Sequence, residues 1–223
     1  MSILPQLEKN KGTTSSALGK SLAQRALAGD IATLEEAVLL LAHEDKNVRA
    51  GAAKIVEQVA MKKPEMVAGY LPQLMAALNV PEPQTRWMAI HTLGMCATLD
   101  PDGAMEALPK AQEFLEQASG ACLWGATIKY LGYVGATSEE NAQRVFPLLE
   151  QALEEIPKQT KSVLEGFLRL LDQADGEMRE QMGRYAGIGA QDEKPSVRAA
   201  ARKLVRRLSK MAPANAERKQ AME

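Results

Sequence analysis

A nine-residue helical phrase occurs five times along this chain at an almost fixed interval, and that periodicity restricts the fold more than any other property of the sequence. Its first copy is Val48-Arg49-Ala50-Gly51-Ala52-Ala53-Lys54-Ile55-Val56, and residues 85–93, 123–131, 160–168 and 197–205 answer it. The anchor positions Arg49, Arg86, Trp124, Lys161 and Arg198 are 37, 38, 37 and 37 residues apart. A second marker keeps the same beat, since Leu71-Pro72, Leu108-Pro109 and Phe146-Pro147 are separated by 37 and 38 residues. Periods of this size belong to arrays in which each repeat is one supersecondary unit stacked on its neighbours.

Within a repeat the apolar residues fall one before the anchor and three, six, seven and ten after it, which gathers them on one side of a helix. Abundant Ala, Leu, Met, Glu, Lys and Gln favour helix almost throughout, while aromatics at 4% and few β-branched runs argue against sheet. The Pro-marked segments supply a first helix for each unit, beginning near Lys63-Pro64, Asp100-Pro101 and Ser138-Glu139, so a unit is a helical hairpin. Pro72, Pro109 and Pro147 lie inside or early in these first helices and predict kinks there. The spans expected are about 15–28, 31–43, 46–62, 64–79, 83–98, 101–118, 120–135, 138–154, 157–173, 175–189 and 195–210. Turn chemistry fills the gaps, at Gly29-Asp30, Pro81-Glu82-Pro83, Ser119-Gly120, Ile156-Pro157 and Lys194-Pro195. The fold class expected is an all-α superhelix of about five to six hairpins. One repeat domain covers 15–211, with polar, fraying ends at 1–14 and 212–223 and a polar cap around Ser15-Ser16.

Composition removes several functional classes. The 223 residues carry 27 Lys plus Arg against 28 Asp plus Glu, a formal charge of -1, which excludes a global attraction to polyanions but leaves local patches open. With two cysteines, Cys96 and Cys122, and two histidines, His43 and His91, neither a disulfide framework nor a structural zinc site is expected, and the cysteines read as fillers of small core gaps. The longest purely apolar run is 37–42, and 1–16 holds no apolar signal segment, so the reading is a cytoplasmic chain without membrane contact.

The entry to the second helix of a unit, Asp45-Lys46-Asn47-Val48-Arg49-x-x-Ala52 and again Glu193-Lys194-Pro195-Ser196-Val197-Arg198-x-x-Ala201, resembles the acid-x-x-Val-Arg-x-x-Ala signature of the HEAT-repeat family, close to its armadillo relatives. The likeness covers about 30–210 and thins in the middle, where Trp124 and Lys161 replace the arginine and Leu164 the small alanine. It implies second helices lining an inner, concave face, and anchor arginines that bridge to the acidic turn of their own or an adjacent unit, with Arg49 and Asp45, Arg86 and Glu82, and Arg198 and Asp192 or Glu193 as the candidate pairs.

Positions one, four, five, eight and twelve after the anchor project away from the apolar stripe and predict the exposed side of each second helix. The fifth positions read Lys54, His91, Lys129, Gly166 and Lys203, four of which can carry positive charge, and Trp87, Trp124, Tyr133, Arg169 and Arg206 lie near them. Aromatic residues flanked by cations suit the anchoring of an anionic protein segment. The sequence therefore points to a non-catalytic scaffold without cofactor or metal. Its partner is a protein or peptide of acidic character, held by Lys54, Trp87, His91, Trp124, Lys129 and Arg169. The alternative is nucleic-acid binding, or a protein resembling the HEAT-like DNA-alkylation-repair glycosylases, using the same groove and the basic last helix with Arg202, Lys203, Arg206 and Arg207. Against the repair reading, Glu57 and Glu165 are the only carboxylates on the inner positions and neither is one turn from a tryptophan. His43-Glu44 is a single pair, too few for the two-iron HEAT-like hydroxylases, and no set of Cys, His and acid singles out the chemistry of HEAT-like bilin lyases.

Overall fold

A computed structural model describes residues 2–10, 16–117 and 120–211. The expectations for 212–223, and for Ser15 as part of a polar cap, lie outside these residues. Among the described residues every regular element is helical: α1 (Leu4–Lys9), α2 (Ser16–Leu27), α3 (Ile31–Leu39), α4 (Lys46–Ala60), α5 (Leu71–Ala77), α6 (Pro83–Cys96), α7 (Pro101–Met105), α8 (Leu108–Glu116), α9 (Ala121–Gly135), α10 (Glu139–Glu155), α11 (Thr160–Leu170), α12 (Gly176–Gly189) and α13 (Pro195–Met211). The starts follow from local chemistry. Side-chain oxygens of Asp30, Asp45, Asp100, Ser138 and Asp175 accept hydrogen bonds from the first-turn amides of Thr33, Asn47, Gly103, Asn141 and Met178. Pro83 opens α6 and Pro195 opens α13, where a missing N–H costs nothing.

The second helices α2, α4, α6, α9, α11 and α13 pack on one another in series, and the first helices α3, α5, α7 with α8, α10 and α12 pack behind them. One continuous apolar core threads the stack, from Ile3 and Leu7 at one end to Ala201 and Leu204 at the other. Aromatic rings bridge successive elements toward the far end: Phe146 of α10 lies 5.2 Å from Phe167 of α11, which lies 5.8 Å from Tyr185 of α12.

Four features differ from the sequence reading. First, part of the expected fraying N-terminus is ordered: Leu4–Lys9 is helical, Ile3 and Leu7 are buried, and the Glu36 carboxylate accepts hydrogen bonds from the backbone amides of Ile3 and Leu4. Two apolar side chains suffice here because Gly51 of α4 leaves a seat for Leu7. Second, the proline-marked helices do not simply bend. Before Pro72 the chain makes two 3-10 turns and then starts α5 afresh, and before Pro109 it ends α7 and starts α8. In each case the proline sits in a first turn, where its ring meets no preceding carbonyl. Pro147, by contrast, lies within an uninterrupted α10.

Third, Arg49 does bridge to the acidic turn of an adjacent unit, but none of the three candidate carboxylate pairs forms among the described residues. Arg49 reaches Glu82 of the next unit through two hydrogen bonds of 2.7 Å and donates its remaining nitrogen to the carbonyls of His43 and Glu44, not to Asp45, which caps α4 instead. Arg198 donates to the carbonyls of Asp192 and Glu193, and Arg86 to that of Pro81. The anchor thus clamps the carbonyls of the loop entering its helix, groups that would otherwise lack partners. Trp124 performs the same task, its indole N–H donating to the Gln117 carbonyl at 3.1 Å. Fourth, Cys96 is buried as expected, its thiol pushed up to about 12 by burial, but Cys122, in the first turn of α9, is exposed.

Candidate ligand-binding groove

Because the second helices stack in register, the fifth positions of consecutive units form a row: Lys54 on α4, His91 on α6 and Lys129 on α9, spaced by the ~8–10 Å that separates packed helices. Lys20 of α2 extends the row by one helix. A groove of about 580 Å³ runs across these helices, and its walls include Lys20, Lys54, Glu57, Trp87, His91 and Lys129. Four residues expected from the sequence, Lys54, Trp87, His91 and Lys129, are therefore brought together.

Glu57 sets the floor. Its carboxylate is 3% exposed and takes one hydrogen bond from Lys54 Nζ at 2.8 Å and another with His91 Nδ1 at 2.9 Å. Burial pushes the Glu57 carboxyl upward, but the contacts from His91 and Lys54 outweigh it and hold the group below its ordinary range. The Lys54 ammonium also lies 5.4 Å from the centroid of the Trp87 ring, so the floor acid, the lysine and the indole are mutually fixed. Lys20 and Lys129 have no carboxylate partner among the described residues. Three lysines face one carboxylate, which leaves the groove with a positive balance.

A second cluster adjoins the groove one turn along α9. Tyr133 stands 6.4 Å from the His91 ring, and the Arg169 guanidinium of α11 lies 4.0 Å over the tyrosine ring. Arg169 is outside the groove wall itself, and so is Trp124, half-buried at the start of α9 where it holds the loop carbonyl. Trp124, expected among the ligand contacts, donates its indole N–H to the chain's own loop carbonyl. Arg202, Lys203, Arg206 and Arg207 are exposed on α13, Arg207 paired with Asp172 at 2.8 Å, and none of them lines the groove. Gly166, expected at the exposed face, is buried: α9 and α11 approach so closely that a Cβ on Gly132 would lie 2.9 Å from the Gly166 Cα. The fourth positions Ala53, Ile90 and Ile128 and the eighth positions Glu57, Gly94 and Gly132 are also buried, since a central second helix is covered by neighbours on both sides as well as by its own partner.

Lys20 escaped the sequence reading because α2 precedes the first recognisable anchor. The nearness of Glu57 to Trp87 escaped it too, since they meet across helices rather than within one. Cys122 also lines the groove, two turns before Lys129 on α9, and no hydrogen bond joins it to His91 or Glu57 among the described residues. No group of three or more His, Cys, Asp or Glu among the described residues could hold a metal ion, and no helix there is long and apolar enough to cross a membrane.

Solved structures share this architecture. An engineered protein from the Northeast Structural Genomics Consortium superposes with a TM-score of 0.68 over 94% of this chain and 100% of its own, at 18% identity. A designed armadillo repeat protein gives 0.67 over 92% and 99% at 13% identity, and another, in complex with the peptide (KR)4, gives 0.67 over 92% and 99% at 17% identity. The fold is an armadillo/HEAT-like α-solenoid. No protein-family model and no curated protein sequence matches the chain. Within the solenoid the groove occupies the exposed side of the second-helix ladder, where each added repeat contributes one more side chain to the row.

Proposed function

We propose that this solenoid is a non-catalytic scaffold that holds an acidic segment of a partner protein along its second-helix ladder, with Lys20, Lys54, His91 and Lys129 facing the ligand and Trp87 as the apolar anchor. The observation that carries the reading is the groove's charge: its one carboxylate, Glu57, is buried and already engaged by Lys54 and His91, while Lys20 and Lys129 are left without carboxylate partners among the described residues. Desolvating such lysines against a neutral ligand would be unfavourable, whereas carboxylates of an extended segment would restore their partners. The designed solenoid that carries (KR)4 supports a peptide ligand in general. That peptide is basic, and the charge of this groove calls for the opposite sign. Fluorescence anisotropy with a labelled Asp/Glu peptide should show binding that Lys54→Glu together with Lys129→Glu abolishes, while a Lys/Arg peptide shows none. Unaltered affinity in the doubly reversed variant would remove the groove from the reading.

One observation favours a second reading, nucleic acid along the same face: Trp87 and Glu57 do share the groove, which their sequence positions did not indicate. A gel shift titrated with salt separates the two, because phosphate-backbone binding strengthens steeply at low salt. Absence of retardation there leaves the peptide reading alone.

A further inference from the structure

The geometry points to a phosphoryl-recognition position at Arg169, Tyr133 and Lys129, so that the acidic segment this scaffold holds carries a phosphorylated side chain. The inference rests on the reading of the ladder as a peptide-binding face and gives that ligand its chemical identity. Arg169 leaves α11 and crosses to α9, where its guanidinium lies 4.0 Å over the Tyr133 ring and one terminal nitrogen would lie 3.5 Å from a Cβ built on Gly132. The guanidinium thus lies in ordinary contact beside Gly132, with the Tyr133 ring beneath it. A guanidinium seated over an aromatic ring, with no carboxylate upon it, keeps N–H groups free for the bidentate hydrogen bonding that suits an oxyanion. Lys129 lies one turn before Tyr133 on α9, and residues at that spacing share a helix face, so its exposed ammonium flanks the same spot.

The neighbourhood leaves this pair unneutralised. Neither Arg169 nor Lys129 has a carboxylate partner among the described residues, although Glu165 sits one turn before Arg169 on α11. That acid is taken by Lys161 at 2.7 Å, and the groove's own acid, Glu57, by Lys54 and His91. The Tyr133 hydroxyl also has no hydrogen-bond partner among the described residues and adds a neutral donor beside the two cations. Two positive charges, one of them a planar fork, match the charge of about −1.5 to −2 on a phosphomonoester better than the single charge of a carboxylate.

The test compares one short Asp/Glu peptide with a central phosphoserine against the same peptide with plain serine, by anisotropy on the full chain, with inorganic phosphate as competitor. The phosphoserine should tighten binding about tenfold or more. Arg169→Lys keeps the charge but gives up the fork and the ring contact, and should erase most of that gain while lowering the serine peptide's affinity far less. Tyr133→Leu, which removes the ring that seats Arg169, should act in the same direction. Equal affinity for the two peptides, with the serine peptide still sensitive to Lys54→Glu, overturns this inference and leaves the scaffold reading standing. If neither peptide binds, both fall. A gain that survives Arg169→Lys and Tyr133→Leu, or inorganic phosphate that displaces the phosphopeptide at matched concentration, also overturns it, the latter by showing that the site reads free phosphate rather than a peptide.

Discussion

At the scale of single residues, two carboxylates largely withdrawn from water define how this chain uses charge. Glu82 is embraced by Arg49, with side chains 11% and 12% exposed, and the pair ties consecutive units together. Burial pushes the Glu82 carboxyl upward, but hydrogen bonds from Arg49 and Thr85 prevail and hold it below the ordinary value of 4.5. Arg49→Met should therefore cost about 3 kcal/mol in urea unfolding, because it strands a nearly buried carboxylate and frees two loop carbonyls. Glu57 is lowered likewise, which fixes a sign. A carboxyl held below its unfolded value contributes stability above that value and loses it as pH falls through the folded one. Relative to Glu57→Gln, the wild-type chain should thus gain most at neutral pH, and the difference should shrink below pH 4.5 as the acid is protonated. A difference in unfolding midpoint that is flat from neutral pH to about pH 3 would refute the role given to the Lys54 and His91 contacts. The row of fifth-position residues was legible in the sequence, since a repeat places equivalent side chains side by side. The partnership of Glu57 with His91 was not, because it depends on how two helices from different units face each other.

At the scale of elements, the second helices were readable almost to their ends: 46–62 was expected and Lys46–Ala60 found, 120–135 was expected and Ala121–Gly135 found. Their starts are marked in the sequence by Asp45 capping α4, by Pro83 and Pro195 opening α6 and α13, and by Gly120 before α9. The first helices were less legible, since a proline marks a discontinuity without saying whether the helix bends, restarts or runs through, and Pro72, Pro109 and Pro147 show two of those outcomes. Helix spacing was also hidden. It rests on glycines whose importance appears only when the facing backbone is known. At Gly94 of α6 a Cβ would lie 2.9 Å from the Tyr130 Cα of α9, a backbone atom that cannot turn aside. Gly94→Ala should force α6 and α9 apart at a cost of about 1–3 kcal/mol. It should also weaken binding of the Asp/Glu peptide, since His91 and Lys129 project from the two helices that separate. Full peptide affinity in a destabilised Gly94→Ala chain would mean that the groove does not need its two walls at this spacing.

At the scale of the whole molecule, a net charge of -1 conceals a segregation that the solenoid makes useful. A compact fold would scatter its charges over a closed surface, whereas serial stacking puts equivalent positions on one face, so that a bias at one position of the repeat becomes a stripe. Because the global field is weak, attraction between this face and an acidic ligand must be local, carried by Lys20, Lys54 and Lys129 within a Debye length of the groove. Its dependence on salt is then predictable in form. Raising ionic strength from about 50 to about 300 mM shortens the screening length from roughly 14 to roughly 6 Å, which should weaken binding of the Asp/Glu peptide about tenfold, mainly through slower association. Trp87→Ala should lower affinity by a similar factor at every salt concentration, because the indole contributes apolar contact that ions screen little. Anisotropy titrations of both proteins across that range would give parallel lines if the two contributions are independent. If the variant's line is instead flat, the indole acts through Lys54, whose ammonium it holds at 5.4 Å, and the cation rather than the ring is what the ligand meets there.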